Sequence, residues 1–321
     1  MSSILVIRLG AMGDILHALP AAASLKLSFP ERELRWLVAP KWMPLLEGNP
    51  YIDKLIPFDR KGISALSASW RQLHGLHPDL AIDFQGLLQS AISGRMAGPA
   101  DFFGFHHTVA RESLAALFYS RRVRVTGPHR IERNLQLVAA AGARILTQDS
   151  WIPHGRAEGS LPARPFVLAS PFAGWAAKQW PLEAYDELGR ILKAHGVDLV
   201  LSVSQHQAAL LQNLRHVHAH SSSLQGLIYA TRRAEAVIGV DSGPLHLAAA
   251  LGKPGVALFG PTDPAQTGPF RSRMDVLRAP GVRTSYKRNN RIHASMAAIT
   301  AEEVSRALLE SLSQRTAVES S

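Results

Sequence analysis

The chain has 321 residues, with 35 Lys and Arg against 25 Asp and Glu, and a sequence pI near 10.3. Hydrophobic residues make up 46%, enough for two ordinary cores or one large one. There is no cysteine, which excludes disulfides, thiolate metal sites and cysteine nucleophiles.

No apolar run approaches the roughly 20 residues of a membrane helix. The nearest, "LHLAAALGKPGVALFG", is broken by Lys253, Pro254 and Gly255. The first residues enter a strand-like run with no basic region, long apolar core or cleavage site, so a soluble cytoplasmic protein is expected. Only eight of the 35 basic residues are Lys. Arg forks suit carboxylate and phosphate acceptors. No zinc-finger, RNP-like or helix-turn-helix pattern accompanies the charge, so an anionic surface or substrate is expected and nucleic acid is not.

In chain order, "ILVIRL", "LRWLVA", "KLIPF", "LAIDF" and "DFFGF" read as strands. Helical patterns "ALPAAASLKLSF", "ALSASWRQLHGL" and "LLQSAISGRMAG" stand between them, and "RIERNLQLVAAAGAR" closes this half. Residues 151–165, "WIPHGRAEGSLPARP", have the composition of a linker. The alternation then restarts: strand "FVLAS", helix "LEAYDELGRILKAHG", strand "VDLVLSV", helix "QHQAALLQNLRH", strand "AVIGV", helix "PLHLAAALG", strand "GVALFG". "ITAEEVSRALLESLSQ" is a final helix with acids in its first turn. The pattern predicts two Rossmann-like α/β/α domains, 1–155 and 156–321, facing a central cleft that strand-end residues line.

Three strand ends carry candidate chemistry. In "AVIGVDSGPLHLAAALG" a buried strand runs into Asp241, Ser242 and Gly243. Pro244 is read at the first helical position, where its missing N–H costs nothing. Gly243 admits a ligand to the backbone, Ser242 offers a hydroxyl, and the free N–H groups of the helix start favour an anion. His246 lies just inside. The same residues also describe a plain capped helix. In "SPFAGWAAKQWP" Lys178 is placed to neutralise a diphosphate, or to sit solvated beside a packed Trp180. In "GAMGDILHALP" the turn that usually holds phosphate ends in Asp14, a general base or merely a helix cap.

Together "ILVIRLGAMGDILHALPA", "IDFQGLLQSA", "ARESLAALFY", "PFAGWAAKQWP" and "VDSGPLHLAAALGKPGVALFGPTDP" resemble the bacterial ADP-heptose:lipopolysaccharide heptosyltransferases, glycosyltransferase family 9. The second and third stretches look most like the heptosyltransferase I branch. "ASMAAITAEEV" resembles the family's C-terminal segment. The resemblance implies a GT-B fold, with acceptor in the first domain and nucleotide-sugar in the second. It also implies an inverting heptose transfer from ADP-heptose to the Kdo region of lipid A, with no metal or resident cofactor. Asp14 matches the catalytic base and Lys178 the lysine that holds the donor phosphates. Asp241, Ser242, Gly243 and His246 match the donor-binding turn, with Asp241 on the sugar side. Arg60, Lys61, Arg111, Arg121, Arg122 and Arg124 suit an anionic acceptor, Arg111 first because it lies inside a shared motif. The basic surface fits peripheral docking on the anionic inner face of the inner membrane.

The chain departs from the family at three places. The strand that leads in relatives to a turn with Glu reads "VLSVSQHQAAL", with no acid near Gln205 to hold ribose hydroxyls. Ser295 stands where relatives often have cysteine, a structural change. The segment 286–293, "YKRNNRIH", is basic and serves equally as acceptor contact, membrane patch or loop. Three other functions remain in view: a family-9 transferase with a different nucleotide-sugar or glycan acceptor, a GT-B-like sugar-nucleotide epimerase, and a binding protein without catalysis.

Overall fold

The computed structural model describes residues 2–59 and 61–319, and the chain divides into two compact units, residues 1–153 and 154–321. The first unit runs β1 (Ser3–Ile7), α1 (Met12–Leu16), α2 (Leu19–Ser28), β2 (Glu33–Val38), β3 (Lys54–Pro57), α3 (Ile63–His74), β4 (Leu80–Asp83), α4 (Leu88–Met96), β5 (Asp101–Phe105), β6 (Arg121–Val123) and α5 (Arg130–Ala140). The second runs β7 (Phe166–Ser170), α6 (Leu182–Ala194), β8 (Asp198–Ser202), β9 (Val217–His220), α7 (Leu224–Arg233), β10 (Ala236–Val240) and α8 (Gly243–Ala250). It continues with β11 (Gly255–Phe259), α9 (Pro264–Thr267), β12 (Met274–Arg278), α10 (Ala294–Ala297) and α11 (Ala301–Glu319).

Each unit is built on a parallel six-stranded sheet. The orders β3-β2-β1-β4-β5-β6 and β12-β11-β10-β7-β8-β9 are the same path read from opposite edges. In both, the chain winds outward from the first strand, returns, and winds the other way. The reversal falls between β1 and β4 in the first sheet and between β7 and β10 in the second. Ligands in such sheets bind beyond the strand carboxyl ends at that reversal.

The central strands are continuous apolar runs because both of their faces are covered. Every residue of β1, β7, β10 and β11 is buried. In the second unit Val167, Ala169, Leu199 and Ile238 pack with Tyr185 and Leu188 of α6 and Leu308 of α11. Their alternate neighbours Phe166, Leu168, Val200 and Val237 pack with Ala230 of α7 and Leu245 of α8. Period-two alternation thus feeds two cores rather than one core and solvent.

The structure adds strands that the sequence pattern does not show. "RRV" of β6, "VHAH" of β9 and "MDVLR" of β12 form edge strands or lie near an edge, and are half exposed, so no apolar run marks them. The helix expected at 205–216 is instead turns around a short 3₁₀ segment, Ala208–Leu211. Gln207 Oε1 accepts there from both the backbone N–H and the hydroxyl of Ser204. The helix that covers this edge is α7, opened by Ser223, whose hydroxyl accepts from Gln225 N at 3.1 Å.

Candidate active site

One cluster of charged residues stands at each sheet's reversal. In the first unit β1 ends at Ile7 and the chain continues through Arg8 and Gly10 into α1. Arg8 is 3% exposed, donates to Phe84 O at 2.7 Å, and meets the carboxylate of Asp14. Asp14 is the third residue of α1, and α1 has no side-chain cap. Its carboxylate is therefore spent on arginines and not on the helix start. Arg130, first residue of α5, meets Oδ1, while Arg111 Nη1 lies 3.7 Å from Oδ2.

Burial alone would raise the Asp14 carboxyl, but Arg8, Arg130, Arg111 and His17 together hold it well below the ordinary carboxylate range. Burial pulls the Arg8 guanidinium down, and Asp14 pushes it back up. Asp14 is thus ionised throughout any ordinary pH range and is a weak base as it stands.

Arg111 reaches this place through a buried carboxylate. Asp83 closes β4 and accepts from Gln85 N at 2.7 Å, Gly86 N at 3.3 Å, Ser90 Oγ at 2.7 Å and Tyr119 Oη at 2.7 Å. Gln85 Oε1 in turn accepts from Leu9 N at 2.9 Å, tying this loop to the Asp14 turn. Gly86 has φ 65°, and a side chain there would come within 3.3 Å of Arg111 N. Its carbonyl accepts from Glu112 N at 3.0 Å. Glycine at 86 therefore lets the loop carrying Arg111 lie against the strand end.

In the second unit the loop after β7 brings Lys178 Nζ to 2.6 Å from Asp241 Oδ2, just past the end of β10. His246 Nε2 lies 3.6 Å from Oδ1, and Thr267 Oγ1 donates to the same oxygen at 3.3 Å. Burial raises the Asp241 carboxyl, and the His246 bond and the Lys178 charge overcome it, leaving it well below its usual range. Lys178 also lies 4.4 Å above the Trp175 ring. Trp180 is a core residue, bonded through Nε1 to Ile299 O at 2.9 Å.

Ser242 is the N-cap of α8 but makes no side-chain cap bond, and its buried hydroxyl has no hydrogen-bond partner among the described residues. A caplike hydroxyl that does not cap is available to a ligand. Gly243 is the first helical residue and Pro244 the second, one position later than expected, where a missing N–H is equally harmless. Beside this turn a cleft of about 380 Å³ is lined by Ser170, Ser202, Ser204, Gln207, Ser222 and Pro244, among others.

The structure brings Asp14 and Arg111 together, and separately Lys178, Asp241 and His246 with Ser242 and Gly243. Lys61 is exposed after β3, with its N–H on Asp59 Oδ1 at 2.9 Å, and has no contact with Asp14 among the described residues. Arg60 lies outside the described residues. Arg121 pairs with Asp101 at 3.3 Å on the sheet edge, and Arg122 and Arg124 are exposed. Segment 286–293 receives Ala177 N on Asn289 O at 3.3 Å, next to Lys178. Ser295 Oγ is 2.7 Å from His293 Nδ1. Arg8, Arg130 and Asp83 are cluster residues to which the sequence motifs assign no role. A charged residue inside an apolar strand run marks Arg8, and an acid closing one marks Asp83.

The family model described as glycosyltransferase family 9 (heptosyltransferase) matches residues 66–294. The chain belongs to this family. It is a glycosyltransferase with the GT-B fold. Lipopolysaccharide heptosyltransferase 1 of Pseudomonas aeruginosa is 30% identical over 287 residues, 83% of this chain and 81% of the relative. The solved E. coli heptosyltransferase WaaC with ADP has a TM-score of 0.77 at 25% identity, covering 95% of this chain and 98% of that one. The same enzyme with ADP-2-deoxy-2-fluoro heptose has a TM-score of 0.73 at 25% identity and the same coverage. Lys178, Asp241 and His246 of the second cluster lie within the matched residues, as do Arg111 and Arg130 of the first, whereas Arg8 and Asp14 precede them.

Proposed function

We propose that this family-9 enzyme moves L-glycero-D-manno-heptose from ADP-heptose to the Kdo region of lipid A during construction of the lipopolysaccharide inner core. The transfer inverts the anomeric centre and uses neither metal nor resident cofactor. The observation that carries this is the Lys178–Asp241 pair, 2.6 Å apart, at the reversal of the second sheet and at the mouth of α8. A nucleotide-sugar diphosphate needs a cation and free backbone N–H groups there. The relatives named as lipopolysaccharide heptosyltransferases and the WaaC complex with ADP support the same substrates.

In the proposed reaction an acceptor hydroxyl oxygen bonds to the anomeric carbon as the bond from that carbon to the β-phosphate oxygen breaks. ADP leaves with the electron pair, its charge received by Lys178 and the α8 N-terminus. The hydroxyl proton passes to Asp14. A carboxylate of such low proton affinity takes it only once the attacking oxygen has become strongly acidic, late in bond formation. Asp241, Ser242, Gly243 and His246 orient the sugar and diphosphate. Arg111 binds the anionic acceptor, and Arg60 and Lys61 are proposed as further acceptor contacts. The enzyme would work in the cytoplasm, peripheral on the inner leaflet. The net charge of +10 favours anionic lipid there.

The test is transfer from ADP-heptose to purified Kdo₂–lipid A in EDTA, wild type beside Asp14→Ala. Product from the wild type and a loss of about 10²-fold or more in the variant are expected. A folded protein that binds nucleotide yet makes no product would defeat the assignment. A second reading keeps the enzyme class and changes the donor. The nucleoside-sized cleft shows serines and Gln207 but no acid, while nearby Glu158 is engaged with Ser223 N at 2.8 Å. Competition by ADP, UDP and GDP decides between them, and preference for UDP or GDP would exclude ADP-heptose.

A further inference from the structure

Three guanidinium groups converge on the single carboxylate of Asp14, and they are not equivalent. Arg8 is buried and tied to Phe84 O, so Arg8 and Asp14 form a fixed neutral pair. The side chains of Arg130 and Arg111 are 36% and 53% exposed, within reach of a ligand. No second acid pairs with either of them among the described residues. The other titratable groups here are His17 at the end of α1, His129 with its ring 5.3 Å from that of His17, and Asp83. Asp83 is already spent on Gln85, Gly86, Ser90 and Tyr119. Asp83 acts by charge on Arg8, so Asp14 is the one acid that Arg111 and Arg130 share among the described residues.

We propose that Arg111 and Arg130 form a binding site for an anionic group of the acceptor, a carboxylate or phosphate, and release Asp14 to that group's neighbouring hydroxyl when the acceptor binds. This deepens the transferase reading and rests on Asp14 being its base. Both Asp14 oxygens now carry a guanidinium, Arg8 on Oδ2 and Arg130 on Oδ1. A hydroxyl that donates to Oδ1 must displace Arg130 or share the oxygen with it. Arg111 Nη1, at 3.7 Å, is near enough to act by charge but not to hydrogen-bond, so its fork is open to another anion. Planar forks take carboxylate or phosphate through paired N–H groups. An anion drawn onto Arg111 and Arg130 supplies a second counter-charge. It also removes from Asp14 two of the charges that depress its proton affinity, leaving Arg8 to orient it. Acceptor binding and activation of the base become one event.

Such coupling is reciprocal. If an anion relaxes the hold on Asp14, then neutralising Asp14 must tighten the anion. Binding of inorganic phosphate to the full chain is measured by calorimetry for wild type, Asp14→Asn, and Asp14→Asn with Arg130→Gln and Arg111→Gln. Phosphate held elsewhere on the chain cancels in the comparison. Asp14→Asn is expected to bind phosphate about 5- to 100-fold more tightly, and the added arginine substitutions to abolish the gain. In transfer assays Arg130→Gln is expected to raise acceptor KM about 10- to 100-fold with donor KM unchanged, and Arg130→Lys to recover part of it. Unchanged phosphate affinity in Asp14→Asn, or a gain that survives loss of both arginines, overturns the proposal. So does an acceptor KM indifferent to Arg130→Gln. Phosphate gain without heptose transfer would uphold the site and defeat the transferase reading; transfer without the gain would do the reverse.

Discussion

Replacing Lys178 by Met separates what the second cluster does for stability from what it does for chemistry. Asp241 is 7% exposed and would lose a charge-assisted bond of 2.6 Å, keeping His246 and Thr267. An uncompensated buried charge costs about 3–5 kcal/mol. The remaining partners place the expected loss at the low end, about 3 kcal/mol, which lowers Tm by about 6–12 °C for a domain of this size. Adding Asp241→Asn removes the stranded charge and should restore most of that stability. Activity should behave differently. Lys178→Met is expected to cost about 10²- to 10³-fold in kcat through lost stabilisation of leaving ADP, and the double variant should recover none of it. Calorimetry and steady-state kinetics on the two single variants and the double test this. A double variant as unstable as Lys178→Met, or one that regains turnover, would refute the account of the pair.

Two further outcomes follow from the buried carboxylates. Tyr119→Phe removes a 2.7 Å bond to Asp83 in the interior; a loss of about 1.5–3 kcal/mol in urea unfolding is expected, with acceptor KM rising because the Arg111 loop is loosened. Asp14 and Asp241 titrate below the ordinary value of 3.8. Their stabilisation is therefore complete above about pH 4 and is lost as pH falls from there toward their folded values, at about 1.4 kcal/mol per unit of displacement each. Asp83 is displaced upward by burial, so its contribution has the opposite sign and declines as pH rises. Unfolding followed from pH 6 to 2 should steepen below pH 4, and Lys178→Met with Asp241→Asn should flatten it.

The interior of each sheet is legible because parallel strands covered on both faces must be apolar throughout. "ILVI" within β1, "FVLAS", "AVIGV" and "GVALF" announce themselves for that reason. Edge strands such as "RRV" face solvent and look like loop. The helix expected at 205–216 is realised only as the 3₁₀ segment Ala208–Leu211, although Ser204 N donates to Gln207 Oε1 as in a capping box. Asp14, in the first turn of the helix after β1, and Asp241, just past β10, are marked in the sequence because each follows an apolar strand run. Arg130 is not. It is 116 positions from Asp14, and only the order of the strands brings the start of α5 to the end of β1.

The same fold path is used twice with different electrostatics, and this bears on an acid at a turn that usually holds phosphate. At the second reversal the turn offers α8, eight residues long, with Ser242 uncommitted and one lysine against one aspartate. A diphosphate proposed to enter there would gain both Lys178 and the backbone N–H groups of a helix start. At the first reversal α1 is only five residues, and Asp14 stands within its first turn. A short helix has little dipole to offer an anion, and the carboxylate would repel one. The positive charge comes instead from arginines supplied by the residue after β1, the loop after β5, and α5. A helix mouth cannot move, but guanidinium groups on half-exposed side chains can be handed from one anion to another. Under the proposed function, the first site would suit a step in which a base must stay ionised until an acid-bearing substrate arrives, and the second a leaving group that is charged throughout.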